Sequence, residues 1–168
     1  MNETRERHLL ELLIFELGDQ RFGLPVSDVW EIIRAVLPVA LPGAPAGIEG
    51  MINLRGNVVP VLDVRRRLRL PPKALEHTDH FVIARIATRL IALRVDRAVD
   101  LVRLTSADVE DLKSDVAGGG QLASRIARVP GGLVVIQNLQ TMLSQAEFAA
   151  LEAGRPAVDS PAGTGEQP

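Results

Sequence analysis

The chain has 168 residues, of which 46% are hydrophobic and only 3% are aromatic, so it suits one ordinary domain with an aliphatic core. Nineteen Lys and Arg residues against 21 Asp and Glu residues give a formal net charge of -2, which argues against the basic face that nucleic-acid binding needs. The absence of cysteine excludes disulfides, thiolate metal sites and cysteine nucleophiles.

The two ends of the chain are predicted to lie outside the folded part. Residues 1–8 are highly charged and are expected to be flexible, and no export signal is visible in them. No apolar run approaches the roughly 20 residues that a membrane span requires, which favours a cytoplasmic protein without direct membrane insertion. A helix is predicted over residues 140–153, and the Pro-, Gly- and Ala-containing residues 155–168 are predicted to be a disordered tail.

The first predicted element is a β-hairpin. Apolar runs over residues 9–17 and 22–26 flank a turn at residues 18–21. Further along, residues 37–46 hold three prolines and a glycine, so they are expected to form an extended loop that leads into the next hairpin.

Between the first hairpin and this loop, a short helix is predicted over residues 29–34. Ser27 and Asp28 are suited to cap it. In that helix Val29 shares an apolar face with the two isoleucines of the segment, whereas Glu31 points elsewhere.

Residues 50–65 carry the clearest pattern in the chain: a buried strand, a tight turn and a second buried strand. Aliphatic residues surround Gly56 and Asn57, where a backbone with positive φ is expected. Pro60 donates no ladder hydrogen bond, so its strand is predicted at a sheet edge or next to a bulge. Arg55 is the exception in this segment, because it is a long cation at the turn of an apolar hairpin.

The second half of the chain repeats this order of elements at an offset of roughly 70 residues. Strands are predicted over residues 80–86 and 90–95, and a second hairpin is predicted around the turn at residues 130–132. In this alignment Asp100 takes the place of Glu31. Two small units of short strands are therefore predicted to pack together and fold as one mainly β domain.

Segments that look like chemical motifs are better explained as loops. The His-Thr-Asp-His of residues 77–80 has two possible metal ligands, but no second cluster of His, Asp or Glu accompanies it, so solvated loop residues are favoured. The three glycines of residues 118–120 lack the ending of a phosphate-binding loop and are predicted to be flexible. No nucleophile motif or paired-carboxylate motif is found, so no catalytic residue, metal or cofactor is predicted.

Two groups of charged residues remain. A basic cluster consists of Arg65, Arg66, Arg67 and Arg69. It is either a solvated connection, which is favoured, or a dock for an acidic partner surface. Arg55 and Glu31 are either a solvated pair of charges or fixed charges that contact a partner, because each lies beside a rigid apolar element.

Three blocks of the sequence resemble the CheW family of chemotaxis coupling proteins in order and spacing. They are residues 15–24 (Phe-Glu-Leu-Gly-Asp-Gln-Arg-Phe-Gly-Leu), residues 29–32 (Val-Trp-Glu-Ile) and residues 50–65 with their Asn-Leu-Arg-Gly hairpin. The resemblance covers residues 9–151, and the boundary between the two units is expected near residues 66–80. It implies a mainly β fold of two SH3-like five-stranded β-barrel subdomains with short helices. The sequence leaves open whether the first strand completes its own barrel or crosses to the other.

The resemblance also implies a function. Members of the family are non-enzymatic adaptors that join the signalling tips of methyl-accepting chemoreceptors to a CheA-type histidine kinase, in cytoplasmic arrays under the membrane. One barrel packs against the kinase's regulatory domain, which is itself CheW-like, and receptor helices dock in the groove between the barrels. A CheW-like interaction module of a type IV pilus (twitching) or another two-component pathway is the alternative.

The family positions that are tied to receptor or kinase coupling match Val29, Glu31, Gly50 and Arg55 of this chain. Arg55 is expected to pair with a receptor carboxylate, and Glu31 either meets a receptor cation or braces Arg55. A side chain in place of Gly50 is expected to push the hairpin out of position. Trp30 departs from the family, which commonly has a polar residue there, and is either an extra contact or part of the core.

Overall fold

The computed structural model describes residues 9–112 and 124–143, together with Ala149. These residues form short strands, two 3-10 turns and two four-residue helices. The strands are β1 (Leu10–Leu17), β2 (Gln20–Pro25), β3 (Val29–Arg34), β4 (Ile48–Leu54), β5 (Asn57–Asp63), β6 (His80–Ile86), β7 (Arg89–Val95), β8 (Arg97–Leu104), β9 (Val109–Leu112), β10 (Ser124–Val129) and β11 (Gly132–Ile136). The 3-10 turns are Val26–Asp28 and Ser106–Asp108, and the helices are α1 (Val64–Arg67) and α2 (Leu139–Met142).

Three predictions fall outside the described residues. They concern the flexible N-terminus at residues 1–8, the glycine loop at residues 118–120 and the disordered tail at residues 155–168. The helix predicted over residues 140–153 is interrupted near its start, because α2 ends at Met142 and Leu143 has an extended backbone. Most of the later residues of this prediction lie outside the described part of the chain. No helix in the described ranges is long and apolar enough to cross a membrane.

Each of the two sheets combines strands from both halves of the chain. The six-stranded sheet has the order β8-β1-β2-β11-β10-β9, and the five-stranded sheet has the order β3-β6-β7-β5-β4. The hairpin β1–β2 therefore pairs with strands of the second half, while the hairpin β6–β7 pairs with strands of the first half. The first strand thus crosses to the other unit. The mainly β fold of two small sheets is confirmed, although one sheet has six strands where five were expected.

Residues 29–34 form a strand, so the helix predicted there is wrong. Val26–Asp28 makes a 3-10 turn, and from Val29 onwards the backbone pairs antiparallel with β6. The apolar spacing fits a helix, but β-branched residues favour a pleated sheet when a partner strand is available. The partner lies some fifty residues further along the chain, where local spacing gives no indication of it.

The strand also changes which residues share a face. Glu31 pairs with Ile83, which lies inside the five-stranded sheet, whereas Ile32 pairs with Val82 on the opposite face. Ile32 is 40% exposed, and Ile33 packs inside the sheet instead. The predicted apolar face shared by Val29 and both isoleucines therefore does not exist.

The hairpin predicted over residues 50–65 is confirmed, because β4 and β5 pair antiparallel. β5 lies between β7 and β4, so Pro60 is not on an edge strand. Pro60 instead precedes Val61, at which pairing with β7 begins. The partner of Val61 in β4 is Gly50, beside a register shift, so the expectation of a nearby bulge is correct.

Hydrophobic side chains form one core within each sheet and a larger core between the sheets. In β1, Leu12 packs within the six-stranded sheet while its neighbour Leu13 packs in the inter-sheet core. In β6, Ile83 packs within the five-stranded sheet while Val82 packs in the inter-sheet core. All four are at most 2% exposed. Burial of each such side chain contributes about 1.5–3 kcal/mol, so both sheets depend on the shared core.

Candidate functional site

An ion pair joins the two edge strands of the five-stranded sheet. Glu31 lies in β3, the first strand in the sheet order, and Arg55 follows β4, the last. The Arg55 Nη2 atom lies 2.9 Å from Glu31 Oε2. The two edges must therefore curl towards each other, which is the geometry of a small barrel.

The turn between β4 and β5 directs Arg55 outwards. Arg55 and Gly56 are the two loop residues, with φ of 49° and 87°, as in a type I′ turn. The Asn53 side chain accepts a hydrogen bond of 2.8 Å from the Gly56 amide, which fixes this turn. Positive φ was expected at Gly56 and Asn57, but it falls on Arg55 instead of Asn57. The Arg55 side chain is 71% exposed, whereas that of Glu31 is 22% exposed.

Glu31 has one oxygen engaged and one buried. Its Oε2 atom accepts the hydrogen bond from Arg55. Its Oε1 atom is buried without a hydrogen-bond partner in the described part of the chain. Because the second oxygen is closed to solvent, the geometry favours the bracing of Arg55 over direct contact between Glu31 and a partner's cation.

Gly50 lies where no side chain fits. A Cβ atom there would collide with the carbonyl of Val39, 2.9 Å from its carbon, and would lie 3.0 Å from the Pro38 Cβ atom. Val39 is held at this place because it exchanges two hydrogen bonds of 2.8 Å with Met51. A side chain would therefore displace the segment around Val39, and not only the hairpin.

The four predicted site residues do not form one cluster. Glu31 and Arg55 are in contact, whereas Val29 packs against the inter-sheet core. Gly50 is five residues before Arg55, which corresponds to about 16 Å along an extended strand. The site therefore consists of a charged end, at Arg55 and Glu31, and two packing positions.

Two exposed residues that were not predicted as site residues flank the inter-sheet core. Ile32 pairs with Val82, and Leu101 pairs with Leu13. Directly paired residues of antiparallel strands point to the same face, and both partners are buried in the inter-sheet core. Ile32 and Leu101 are 40% and 62% exposed on the edge strands β3 and β8, so each edge strand presents an apolar side chain beside the inter-sheet core.

The repeat aligns differently from the prediction. Each 3-10 turn ends in Asp and is followed by a strand that begins with Val, at Asp28 and at Asp108. This correspondence matches Glu31 with Asp111, and not with Asp100, which lies in β8. The Asp-Val pair shared by both turns is the sequence feature that locates the match.

The basic cluster at residues 65–69 is divided between different roles. The Arg65 side chain is 11% exposed, and its Nη2 atom lies 2.5 Å from Asp96 Oδ2. The Arg67 Nη2 atom donates a hydrogen bond of 3.0 Å to the Thr141 carbonyl. These two arginines therefore hold parts of the fold together. Arg66 and Arg69 are exposed.

Asp79, expected in a solvated loop, is instead buried, with 1% exposure. It accepts hydrogen bonds from Lys73 at 2.9 Å and from the Glu76 amide at 3.0 Å. Nearby, the buried Arg94 binds Glu49 at 2.6 Å, and burial raises the pKa of Glu49 despite this cation. Burial requires such partners, since an unpaired buried charge is costly.

No group of three or more metal-ligating side chains occurs in the described ranges.

The carboxylate of Asp96 connects the two sheets. It binds Arg65, which lies in α1 after β5, and it accepts a hydrogen bond of 2.6 Å from the Gly18 amide in the β1–β2 turn. Burial opposes ionisation, but the hydrogen bonds from Arg65 and Gly18 and the charges of Arg65 and Lys73 outweigh it. The pKa of Asp96 is therefore lowered.

Comparison with known proteins identifies the family. Residues 11–147 match the family described as CheW-like domain. The chain belongs to the CheW-like family. It is similar to the probable chemotaxis protein CheW of Rhizobium etli, with 29% identity over 143 residues that cover 83% of this chain and 91% of that protein. It is also similar to chemotaxis protein CheW of Rhizobium meliloti, with 32% identity over 145 residues that cover 83% of this chain and 91% of that protein.

A solved structure shares the fold. The crystal structure of the scaffolding protein TtCheW from Thermoanaerobacter tengcongensis matches with a TM-score of 0.73 and 24% identity, covering 82% of this chain and 94% of that chain. The resemblance and the fold class predicted from the sequence are thus confirmed. Membership of the CheW-like family makes the protein a non-enzymatic adaptor of chemotactic signalling. The roles of Val29, Glu31, Gly50 and Arg55 stay predictions.

Gly50→Ala is expected to lower the free energy of unfolding by about 1–3 kcal/mol, because the new Cβ atom displaces the Val39 carbonyl. Amide hydrogen exchange should accelerate at Val39 and Met51, which hydrogen-bond to each other. Gly56→Ala is the matched control, since Gly56 also has positive φ but nothing lies near its Cβ position. If amide hydrogen exchange at Val39 is the same in Gly50→Ala as in the parent, the segment around Val39 accommodates the new side chain without loss of stability, and the prediction is wrong.

Asp96→Asn is expected to destabilise the protein at neutral pH by about 1–3 kcal/mol, because charge-assisted hydrogen bonds are lost. The folded pKa of Asp96 lies below its unfolded value, so its stabilisation is present above the unfolded pKa and disappears as the pH falls through the folded pKa. Urea unfolding of both proteins at neutral and at acidic pH measures this. A difference that stays constant in acid would exclude the carboxylate charge as its cause.

Proposed function

We propose that the protein couples methyl-accepting chemoreceptors to a CheA-type histidine kinase in cytoplasmic signalling arrays. The observation that carries the proposal is the Arg55–Glu31 pair, an exposed guanidinium fixed by a half-buried carboxylate at the end of a closed sheet. Exposed ion pairs contribute only about 0–1 kcal/mol to stability, so stability alone does not account for this arrangement. A fixed rim charge is suited to partner recognition.

The receptor side of the proposal concerns the Arg55–Glu31 pair and an apolar groove that we place between the edge strands β3 and β8. A receptor tip is a helical hairpin, and a helix binds well in an apolar groove with a few fixed charges. Ile32 and Leu101 supply apolar surface from the two sheets. Arg55 would pair with a receptor carboxylate, with Glu31 holding its guanidinium in place.

The kinase side concerns the outer face of the six-stranded sheet. In the register of β9, β10 and β11, the side chains of Leu112, Ile126 and Leu133 lie on the same face of the sheet. Leu112 and Leu133 are 42% and 65% exposed, and the ion pair between Glu110 and Arg128 lies on this face too. An apolar face with a charged pair suits a second barrel such as the kinase's CheW-like regulatory domain. We therefore assign the kinase to this face.

Arg55→Glu is expected to weaken binding of a receptor-tip hairpin fragment at least tenfold. It replaces the cation that would bind a receptor carboxylate with a second carboxylate, which repels it. The unfolding free energy should change by less than about 1 kcal/mol, because the substituted side chain, Arg55, is largely exposed. Arg21→Glu is the control, as Arg21 forms a comparable surface pair with Glu16 on the other sheet. Calorimetric titration measures the affinity. Equal binding by Arg55→Glu and the parent would remove the role given to Arg55.

Leu133→Glu is expected to weaken binding to the kinase regulatory domain at least tenfold, because it places a charge in the apolar contact. Val58→Glu is its matched control, since Val58 is similarly exposed (59% against 65%) at the corresponding place in the β4–β5 hairpin. Receptor-stimulated kinase autophosphorylation should require the parent protein and should be lost with Leu133→Glu. A larger loss with Val58→Glu would reassign the kinase to the five-stranded sheet.

Recovery of a kinase but no receptor from cells would favour a pilus or other two-component pathway.

A further inference from the structure

Trp30 and Arg85 lie at the same end of the five-stranded sheet as the Arg55–Glu31 pair. β5 and β7 are parallel neighbours, so the turn before β5, which holds Arg55, lies beside the turn before β7. Arg85 precedes that second turn, near the end of β6. β3 begins at this end too, because Val29 pairs with Ala84.

The Trp30 ring is held outwards at this end. The register of β3 against β6 shifts between Val29 and Glu31, so Trp30 is the extra residue of a β-bulge. Bulges commonly redirect a side chain next to a functional site. The ring is 53% exposed, and the Arg85 guanidinium carbon lies 4.3 Å from its centroid. This cation–π contact keeps the ring in a defined position without burying it.

Arg85 has no acidic partner in the described part of the chain, unlike Arg55, Arg97 and Arg128. Arg55 binds Glu31, Arg97 binds Glu16 and Arg128 binds Glu110. Over the described ranges Arg85 forms no ion pair, and its guanidinium lies over the Trp30 ring instead. A guanidinium that stacks on an aromatic ring keeps its N–H groups free to bind a carboxylate.

We propose that Trp30 and Arg85 extend the receptor-docking surface at Arg55 and Glu31 and set its specificity. They select a helix that carries an apolar side chain flanked by two acidic residues on one face. One carboxylate binds Arg55, the other binds Arg85, and the apolar side chain covers the Trp30 ring. Trp and Arg are the residues that most often dominate binding energy at interfaces. The inference rests on the proposed function, because the helix is taken to be that of the receptor tip.

Trp30 is the only tryptophan of the chain, so its fluorescence reports on this surface directly. The full-length protein is titrated with the receptor-tip hairpin fragment and with a synthetic helical peptide that carries Glu, Leu and Glu along one face. Both should shift the Trp30 emission to shorter wavelength. A peptide with both Glu residues replaced by Gln should bind at least tenfold more weakly.

The substitutions separate charge recognition from packing. Arg85→Met keeps apolar bulk over the ring but removes the charge, so it should weaken binding of the Glu peptide about tenfold and leave binding of the Gln peptide unchanged. Trp30→Ala should weaken both peptides, measured by anisotropy of a labelled peptide. Arg97→Met, an exposed arginine of the other sheet, is the control and should change neither.

The outcomes distinguish this inference from the proposed function. If the fragment binds and depends on Arg55, but the Trp30 emission is unchanged and both variants bind as the parent does, the inference is wrong and the proposed function stands. If the Glu peptide binds through Arg85 while the fragment does not bind, the surface is supported and the receptor assignment is wrong. If neither ligand binds, both are wrong.

Discussion

The structure depends on two strands that must be buried on both faces. β1 and β6 carry apolar residues at nearly every position, so a single sheet would leave one of their faces in water. A second sheet on the far side removes that surface, and the inter-sheet core is the result. Exchange of the hairpins places each of these strands in a sheet with strands of the other half. The edge strands β3 and β8 are then left beside the shared core, where they expose Ile32 and Leu101.

The charged residues divide into two groups with different physical roles. Arg94 and Asp79 are buried and bind several partners, as charges removed from water must. Arg55 and Glu31 form a pair that is exposed on one side and adds little to stability. Loss of the first group should therefore harm folding, whereas loss of the second should harm recognition. This difference makes the proposed role of Arg55 separable from the stability of the protein.

Sequence reasoning succeeded where short-range chemistry decides the structure. The β4–β5 hairpin was predictable because a Gly-containing turn lies between two aliphatic runs, and the resemblance to the family located Arg55 on it. It failed at β3, because apolar residues at positions 29, 32 and 33 fit helical spacing equally well and only the distant strand β6 decides between the two. The partners of Arg65 and Arg67, which are Asp96 and Thr141, are likewise remote in sequence. Hairpin exchange could not be predicted, since the same hydrophobic pattern satisfies either pairing.

The two halves of the repeat differ in the exposed residue that follows the Asp-Val pair. Trp30 follows the first Asp-Val pair, and Glu110 stands at the corresponding place in the second half. One end therefore presents an aromatic ring under an arginine, whereas the other presents a Glu110–Arg128 ion pair. Both strands keep the same backbone plan, so this change alters the chemistry of the surface with little effect on the fold. Under the proposed function, a duplicated plan with unlike surfaces would let one small protein bind two different partners at once, as an adaptor must.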